Sequence, residues 1–196
     1  DKLPFARPER WLELGLYRLY EAALPVQTKR GCALQCVYCT YNRLEGAQYR
    51  LRSPALVVDE IEAFVHATGV RSVELVDSTF NVPLGHAKAV LRELLARKLK
   101  LKVAALGLNP KFLDDELVTL MKQTGFREVG FGIDAGCASS LASMGKNFEV
   151  ADIERAAGII HRARIPAAWY YIVGAPGETP GTLEQTLRTA SRIASP

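Results

Sequence analysis

The run Leu24-Pro25-Val26-Gln27-Thr28-Lys29-Arg30-Gly31-Cys32-Ala33-Leu34-Gln35-Cys36-Val37-Tyr38-Cys39 carries a strand-like segment, about Leu24 to Lys29, straight into a loop with three cysteines spaced C-x3-C-x2-C. Tyr38, an aromatic residue, stands directly before the last of them. A strand that hands over to a loop of chemically active side chains is one half of a β/α unit. Whether that unit repeats decides the fold.

Downstream, strand-like and helix-like segments alternate, which predicts a parallel sheet. A helical pattern, about Pro54 to Ala67, sets Val57, Ile61, Phe64 and Val65 on one face, with Gly69 as C-cap. Arg71 to Asp77 reads as the second strand. Leu84 to Lys98 is a helix with Ala87, Val90, Leu91, Leu94 and Leu95 inward. Leu101 to Leu106 is the third strand, followed by a helix from Asp114, its N-cap, to Thr124, with Gly125 as its stop. Arg127 to Asp134, Val150 to Arg164 and Pro166 to Val173 continue the alternation. The last helix opens at Thr179-Pro180, an N-cap with Pro at N1. Before the first strand, about Glu9 to Ala23, apolar residues at Trp11, Leu12, Leu14, Leu16, Leu19 and Tyr20 read as a helical or irregular lead-in.

Five consecutive β/α units place chemistry at the C-terminal ends of the strands. Those ends are the cysteine loop, Asp77 to Asn81, Leu106 to Asn109, Asp134 to Cys137, and Gly174 to Glu178.

The 196 residues suffice for one core. Apolar residues at 48% and charged residues at 23% describe an ordinary globular domain. A net charge of +4 does not by itself argue for nucleic acid. No apolar run reaches membrane-spanning length, and Asp1-Lys2-Leu3-Pro4 has no signal-peptide layout. The cysteines are therefore expected in a reducing, cytoplasmic compartment. The chain starts without Met and stops at Ser195-Pro196 directly after a helical pattern, which reads as a segment of a longer protein.

The cysteines themselves carry the chemistry. Disulfides are disfavoured, because the three are too close together and the chain lacks the cysteine density of a secreted scaffold. Zinc wants a fourth Cys or His at a finger or ribbon spacing. The fourth cysteine, Cys137, stands alone, and His66, His86 and His161 are scattered. Clusters of the 4Fe–4S type take four thiolates, so three leave one iron open to another ligand.

The C-x3-C-x2-C run with its aromatic residue resembles the signature of the radical S-adenosylmethionine superfamily. The resemblance covers nearly the whole chain. It implies a partial (β/α)6-type TIM barrel with five units present and the sixth missing, in which residues 24–196 form the core domain and residues 1–23 are a lead-in or linker. It also implies a 4Fe–4S cluster on Cys32, Cys36 and Cys39, whose open iron chelates S-adenosylmethionine and whose electron cleaves the sulfonium to a 5′-deoxyadenosyl radical.

Further contacts are implied position by position. Val76-Asp77-Ser78-Thr79 stands where the family often has Gly-Gly-Glu, which holds the methionine amino group. Asp77 followed by Phe80-Asn81 resembles the cobalamin-dependent branch. Gly132-Ile133-Asp134-Ala135-Gly136 resembles the ribose-contacting stretch, with Asp for Glu. Tyr171 to Thr179 resembles the adenine-side stretch, which brings in Ile172 and Gly174. Tyr38 would lie over the cluster. Pro25 to Cys32 and Tyr38 to Tyr41 also resemble the branch that follows a cobalamin-binding domain. The D-x-H-x-x-G cobalamin-ligating motif is absent from this chain, so any cobalamin would belong to a domain outside it.

The resemblance thus implies a radical enzyme, first a cobalamin-dependent methyl transfer or related C–C or C–S chemistry, second a methylthiotransferase or anaerobic cyclase. Its substrate is an unspecified small molecule or peptide, and its reducing partner is of the flavodoxin or ferredoxin kind. The competing expectation is a non-enzymatic iron–sulfur or zinc module with Cys137 as fourth ligand.

Overall fold

The computed structural model describes residues 4–5 and 7–194. Residues 1–3 and 6 of the lead-in, and 195–196, lie outside the described residues.

Among the described residues the lead-in holds a single 3-10 turn, Pro8–Arg10, and a short helix α1, Leu14–Leu19. Of the apolar residues of the lead-in, Leu14 is buried, whereas Trp11, Leu12, Leu16, Leu19 and Tyr20 are exposed. They are spread around the chain rather than gathered on one stripe, so burial of one face cannot hold a longer helix together.

Strand β1, Leu24–Val26, is shorter than expected. Its Pro25 lies on an edge strand, where the missing N–H leaves no ladder bond unmade. The next two residues leave the sheet, and β2, Lys29–Arg30, pairs antiparallel with β3, Arg50–Leu51. Between them runs the cysteine loop with a one-turn helix α2, Tyr41–Leu44.

From there the expected alternation holds: α3 (Pro54–Thr68), β4 (Ser72–Leu75), α4 (Leu84–Ala96), β5 (Lys102–Leu108), α5 (Asp115–Thr124) and β6 (Phe126–Asp134). A six-residue helix α6, Ala138–Ser143, was not legible in the sequence. Then come α7 (Val150–Ala163), β7 (Ala167–Tyr171) and α8 (Pro180–Ala194). The predicted stops are observed: Gly69 and Gly125 take left-handed conformations at φ +67° and +91°. Asp114 Oδ1 accepts from Leu117 N at 2.8 Å as N-cap of α5.

Among the described residues five strands form one parallel sheet in the order β1-β4-β5-β6-β7. Consecutive parallel neighbours joined by right-handed crossovers put the helices on one face, and α3, α4, α5, α7 and α8 pack side by side in that order. The core lies between, with Val57, Ile61, Leu91, Leu117, Met121 and Ile153 of the helices fully buried against Leu24, Leu75, Ala105, Val129 and Phe131 of the strands. Trp169 of edge strand β7 stacks on Phe131 with centroids 4.3 Å apart. Because the sheet is parallel, all its strands end on one rim, and the cysteine loop rises at that rim. No helix among the described residues is long and apolar enough to cross a membrane.

Candidate active site

The cysteine loop is clamped from two sides. Gly31 has φ +85°, and a Cβ there would stand 2.1 Å from Gln48 O, so only glycine fits. Cys32 N donates to Gly46 O at 3.0 Å, closing the loop on its own return. On the far side Val37 N donates to Met144 O at 3.0 Å. Gly145, at φ +67°, lies so close that a Cβ would meet Gln35 O at 2.7 Å. Helix α6 thus serves as a brace for the loop. Within the loop, Cys39 N donates to Cys36 O at 3.1 Å, a tight turn that sets the second and third cysteines on one side.

Cys32, Cys36 and Cys39 are free thiols and line one cavity of about 220 Å3. Further walls come from the strand ends: Ser78 and Thr79 after β4, Leu106 to Leu108 of β5 with Asn109 after it, and Gly132 of β6. Among the described residues no three His, Cys, Asp or Glu side chains are grouped as ligands of a single ion. A cluster does not require that, since each thiolate binds a different iron. Asn42 Oδ1, on the cavity wall, is buried without a hydrogen-bond partner among the described residues. Three thiols on one loop facing a cavity with an unsatisfied acceptor fit a thiolate-held cluster with a polar ligand beside it. Burial pushes the Cys36 thiol up, helped by Cys39, Asp134 and Cys32 and opposed by Lys146. Binding of a metal by Cys36 would therefore displace the thiol proton.

Asp77 is expected from the resemblance as a cofactor contact; its side chain is fully buried and both oxygens are occupied by protein donors. Oδ1 accepts from Thr28 N at 2.8 Å and Lys29 N at 3.2 Å; Oδ2 accepts from Thr28 Oγ1 at 2.6 Å and Lys29 Nζ at 3.0 Å. These bonds draw the backbone at 28–29 out of the sheet, which is why β1 stops early. Lys29, buried to 1% exposure, also donates to Phe80 O at 3.1 Å. Burial lowers its pKa, and the Asp77 charge opposes that.

His86 completes this knot. It is buried, and its Nε2 lies 3.2 Å from Thr28 O, to which the Nε2-protonated ring donates. Burial lowers its pKa below the ordinary value of 6.5. The native state therefore binds fewer protons than the unfolded chain in mildly acid solution. The contribution is fully present above pH about 6.5 and is lost as pH falls from there through the lowered folded value. Urea midpoints at pH 7.5 and 5.5 are expected to differ less for His86→Gln than for the parent; an equal difference would remove His86 as the cause.

Tyr38 and Asp134 do meet. The Tyr38 hydroxyl donates to Asp134 Oδ2 in a short hydrogen bond across the rim. Burial and then Asp134 raise the Tyr38 pKa far above its ordinary value, so the phenol stays a donor. Asp134 is buried at the end of β6 with φ +65°, a left-handed conformation that Asp tolerates better than most residues. A register shift between Gly132 and Asp134 accompanies it. Lys146, unmarked by the sequence, joins them: its Nζ donates to Asp134 Oδ2 at 2.6 Å, Gly132 O at 2.9 Å and Tyr38 OH at 3.3 Å.

Of the remaining expected residues, Ser78 lines the cavity and its Oγ donates to Gly31 O at 3.3 Å. Ile172 N donates to Asp134 O at 2.9 Å, tying the β7 end to the rim. Gly174, at φ +87°, donates its N–H to Glu178 Oε2 at 2.6 Å. Ile172 and Gly174 share the rim with the cysteines but do not wall their cavity. Asn81, at the β4 end, is a structural link: it donates to Asn109 O and Phe112 O and accepts from Asn109 N.

Lys146, Asn147 and Phe148 wall the cavity and went unseen. No motif or helical period marks them, since the preceding α6 has only six residues. Cys137 lies apart from that wall. It is buried at the start of α6 with Sγ 3.1 Å from Ser139 Oγ. Burial raises its pKa, but hydrogen bonds with Ser139 and Ser140 outweigh that and bring it below the ordinary value.

Residues 26–190 match the family model of the Radical SAM superfamily. Tryptophan 2-C-methyltransferase of Streptomyces laurentii is 30% identical over 203 residues, covering 93% of this chain and 33% of that protein. Anaerobic magnesium-protoporphyrin IX monomethyl ester cyclase of Cereibacter sphaeroides is 32% identical over 165 residues, covering 82% of this chain and 27% of that protein. Among solved structures, the radical S-adenosylmethionine methyltransferase TsrM from Kitasatospora setae, with cobalamin and a [4Fe-4S] cluster bound, aligns with a TM-score of 0.82 at 28% identity, over 91% of this chain and 36% of that chain. The chain thus spans about a third or less of the length of the relatives it matches. With the cysteine loop, the parallel sheet and a match over most of its length in agreement, the chain belongs to the radical S-adenosylmethionine superfamily.

Proposed function

We propose that this chain is the cluster- and S-adenosylmethionine-binding core of a cobalamin-dependent radical methyltransferase. The observation that carries the reading is the cavity with Cys32, Cys36 and Cys39 on one wall and the strand ends on the others. Cys32, Cys36 and Cys39 hold the 4Fe–4S cluster. When bound, the cluster with S-adenosylmethionine supplies the electron for reductive cleavage of the sulfonium. The residues of the chain bind, orient and keep water from that chemistry.

Tyr38, Ser78, Asp134, Ile172 and Gly174 are the contacts for S-adenosylmethionine in this reading. Asp134 already accepts charge-assisted hydrogen bonds, so ligand hydroxyls there exchange with the Tyr38 hydroxyl. Asp77 acts through the loop it anchors, without touching the ligand. The sheet is the open part of a (β/α)6-type barrel whose sixth strand adds at β7. The lead-in before residue 24 leads to a cobalamin-binding unit in the portion of the relatives that this chain does not span. A low-potential flavodoxin or ferredoxin is the electron donor. The second reading, an anaerobic cyclase, is favoured by the 32% identity to the Cereibacter sphaeroides enzyme.

The test is electron paramagnetic resonance on anaerobically reconstituted, reduced protein. Addition of S-adenosylmethionine is expected to change the cluster signal, because it takes the open iron. A signal unmoved by saturating S-adenosylmethionine would overturn the reading in favour of a closed electron-transfer module.

A further inference from the structure

Lys146 is a cation on the wall of the cavity that the three thiols also line. Its side chain and that of Asp134 are each 7% exposed, and Nζ has a partner for each of its three protons. Nζ also lies 5.8 Å from the Tyr38 ring and 5.2 Å from the Phe148 ring. The segment that carries it cannot drift, since Gly145 is packed on Gln35 O and Met144 O holds Val37 N. The charge is therefore rigid with respect to the loop that bears Cys36 and Cys39. Three hydrogen bonds and two rings are more than a lysine needs for solubility, and a buried cation–anion pair of this kind is weak evidence for stability.

We propose that Lys146 and Asp134 are positioning residues of opposite sign that set the reduction potential of the cluster held by Cys32, Cys36 and Cys39. Reduction adds one electron to the cluster. A fixed positive charge nearby favours the reduced state and a fixed negative charge disfavours it, the more so where little water screens them. In the native pair the two effects nearly cancel. Lys146 offsets the pull of Asp134 toward a lower potential. The inference rests on the function proposed above, since it requires a redox-active cluster on those cysteines.

The experiment is mediated potentiometric titration of the reconstituted protein without S-adenosylmethionine, with the cluster signal as readout. Lys146→Met leaves Asp134 unopposed and is expected to make reduction about tenfold less favourable, about 59 mV lower for a one-electron couple. Asp134→Asn keeps the shape, the left-handed backbone and an acceptor for Nζ, and is expected to shift the potential about as far upward. The double variant returns close to the parent, and Lys146→Arg stays there.

A structural role does not predict opposite signs. Singles that move the same way, or neither moving by twofold, overturn the inference while leaving the cluster assignment standing. If Lys146→Met takes up no cluster, the upward shift of Asp134→Asn and the return of the double variant decide the matter. A parent protein with no redox-active cluster overturns the proposed function, and this inference with it.

Discussion

Cys36→Ala is expected to abolish cluster binding outright, and Cys137→Ala to leave it intact. Cys32, Cys36 and Cys39 wall one cavity, and in the function proposed above each holds a different iron of a 4Fe–4S cube. Loss of one leaves two protein ligands for a cluster already open at one iron. Cys137 does not wall that cavity. Its thiol is buried against Ser139 at the start of α6, so its replacement by alanine changes a small packed site. Iron and sulfide counted per chain after anaerobic reconstitution are the readout. Near-zero content for Cys36→Ala and parental content for Cys137→Ala are expected. If Cys137→Ala loses the cluster as completely, the four-ligand electron-transfer module is correct and an open iron is not.

The second large effect is on folding. Asp77→Ala is expected to destabilise the apoprotein by about 3–5 kcal/mol, the cost of leaving one partner of a buried ion pair uncompensated. Lys29 and Asp77 have side chains 1% and 0% exposed, so water cannot stand in for the lost carboxylate. The variant also strands the Thr28 and Lys29 N–H groups. The control is a double variant, Lys29→Met with Asp77→Asn. It removes both charges while the amide oxygen still accepts at Oδ1, and it is expected to recover most of the loss. Urea unfolding of the three proteins decides: if the double variant is no more stable than Asp77→Ala, the charge is not what the knot depends on.

The sequence made the scaffold readable because the determinants of its elements are local. The i, i+4, i+7 spacing of Val57, Ile61 and Phe64 defines α3, and the glycines at 69 and 125 stop their helices by backbone conformation alone. The cysteine spacing is local too. What sequence could not show depends on partners far along the chain. Asp77 looks like a rim carboxylate until Thr28 and Lys29 are seen folded onto it, some 49 residues away. Lys29 is among the largest fully buried side chains, against every compositional expectation for lysine. Lys146 carries no local mark, since α6 is too short for a helical period to stand out. The lead-in left a helix and an irregular segment open; it holds a 3-10 turn and a short helix, with most of its apolar residues exposed.

The clamp around the cysteine loop also fixes an order in time. The three cysteines lie within one stretch of eight residues, yet the contacts that brace their loop span 49 residues for Thr28 to Asp77, 96 for Tyr38 to Asp134 and 108 for Lys146 to Tyr38. A chain leaving the ribosome exposes all three thiols long before the residues that pin their loop exist. During that interval the thiols are mobile, solvated and open to any oxidant or stray metal. In the function proposed above, a cluster can therefore meet a loop of fixed shape only after β6 and the segment that follows α6 have been made.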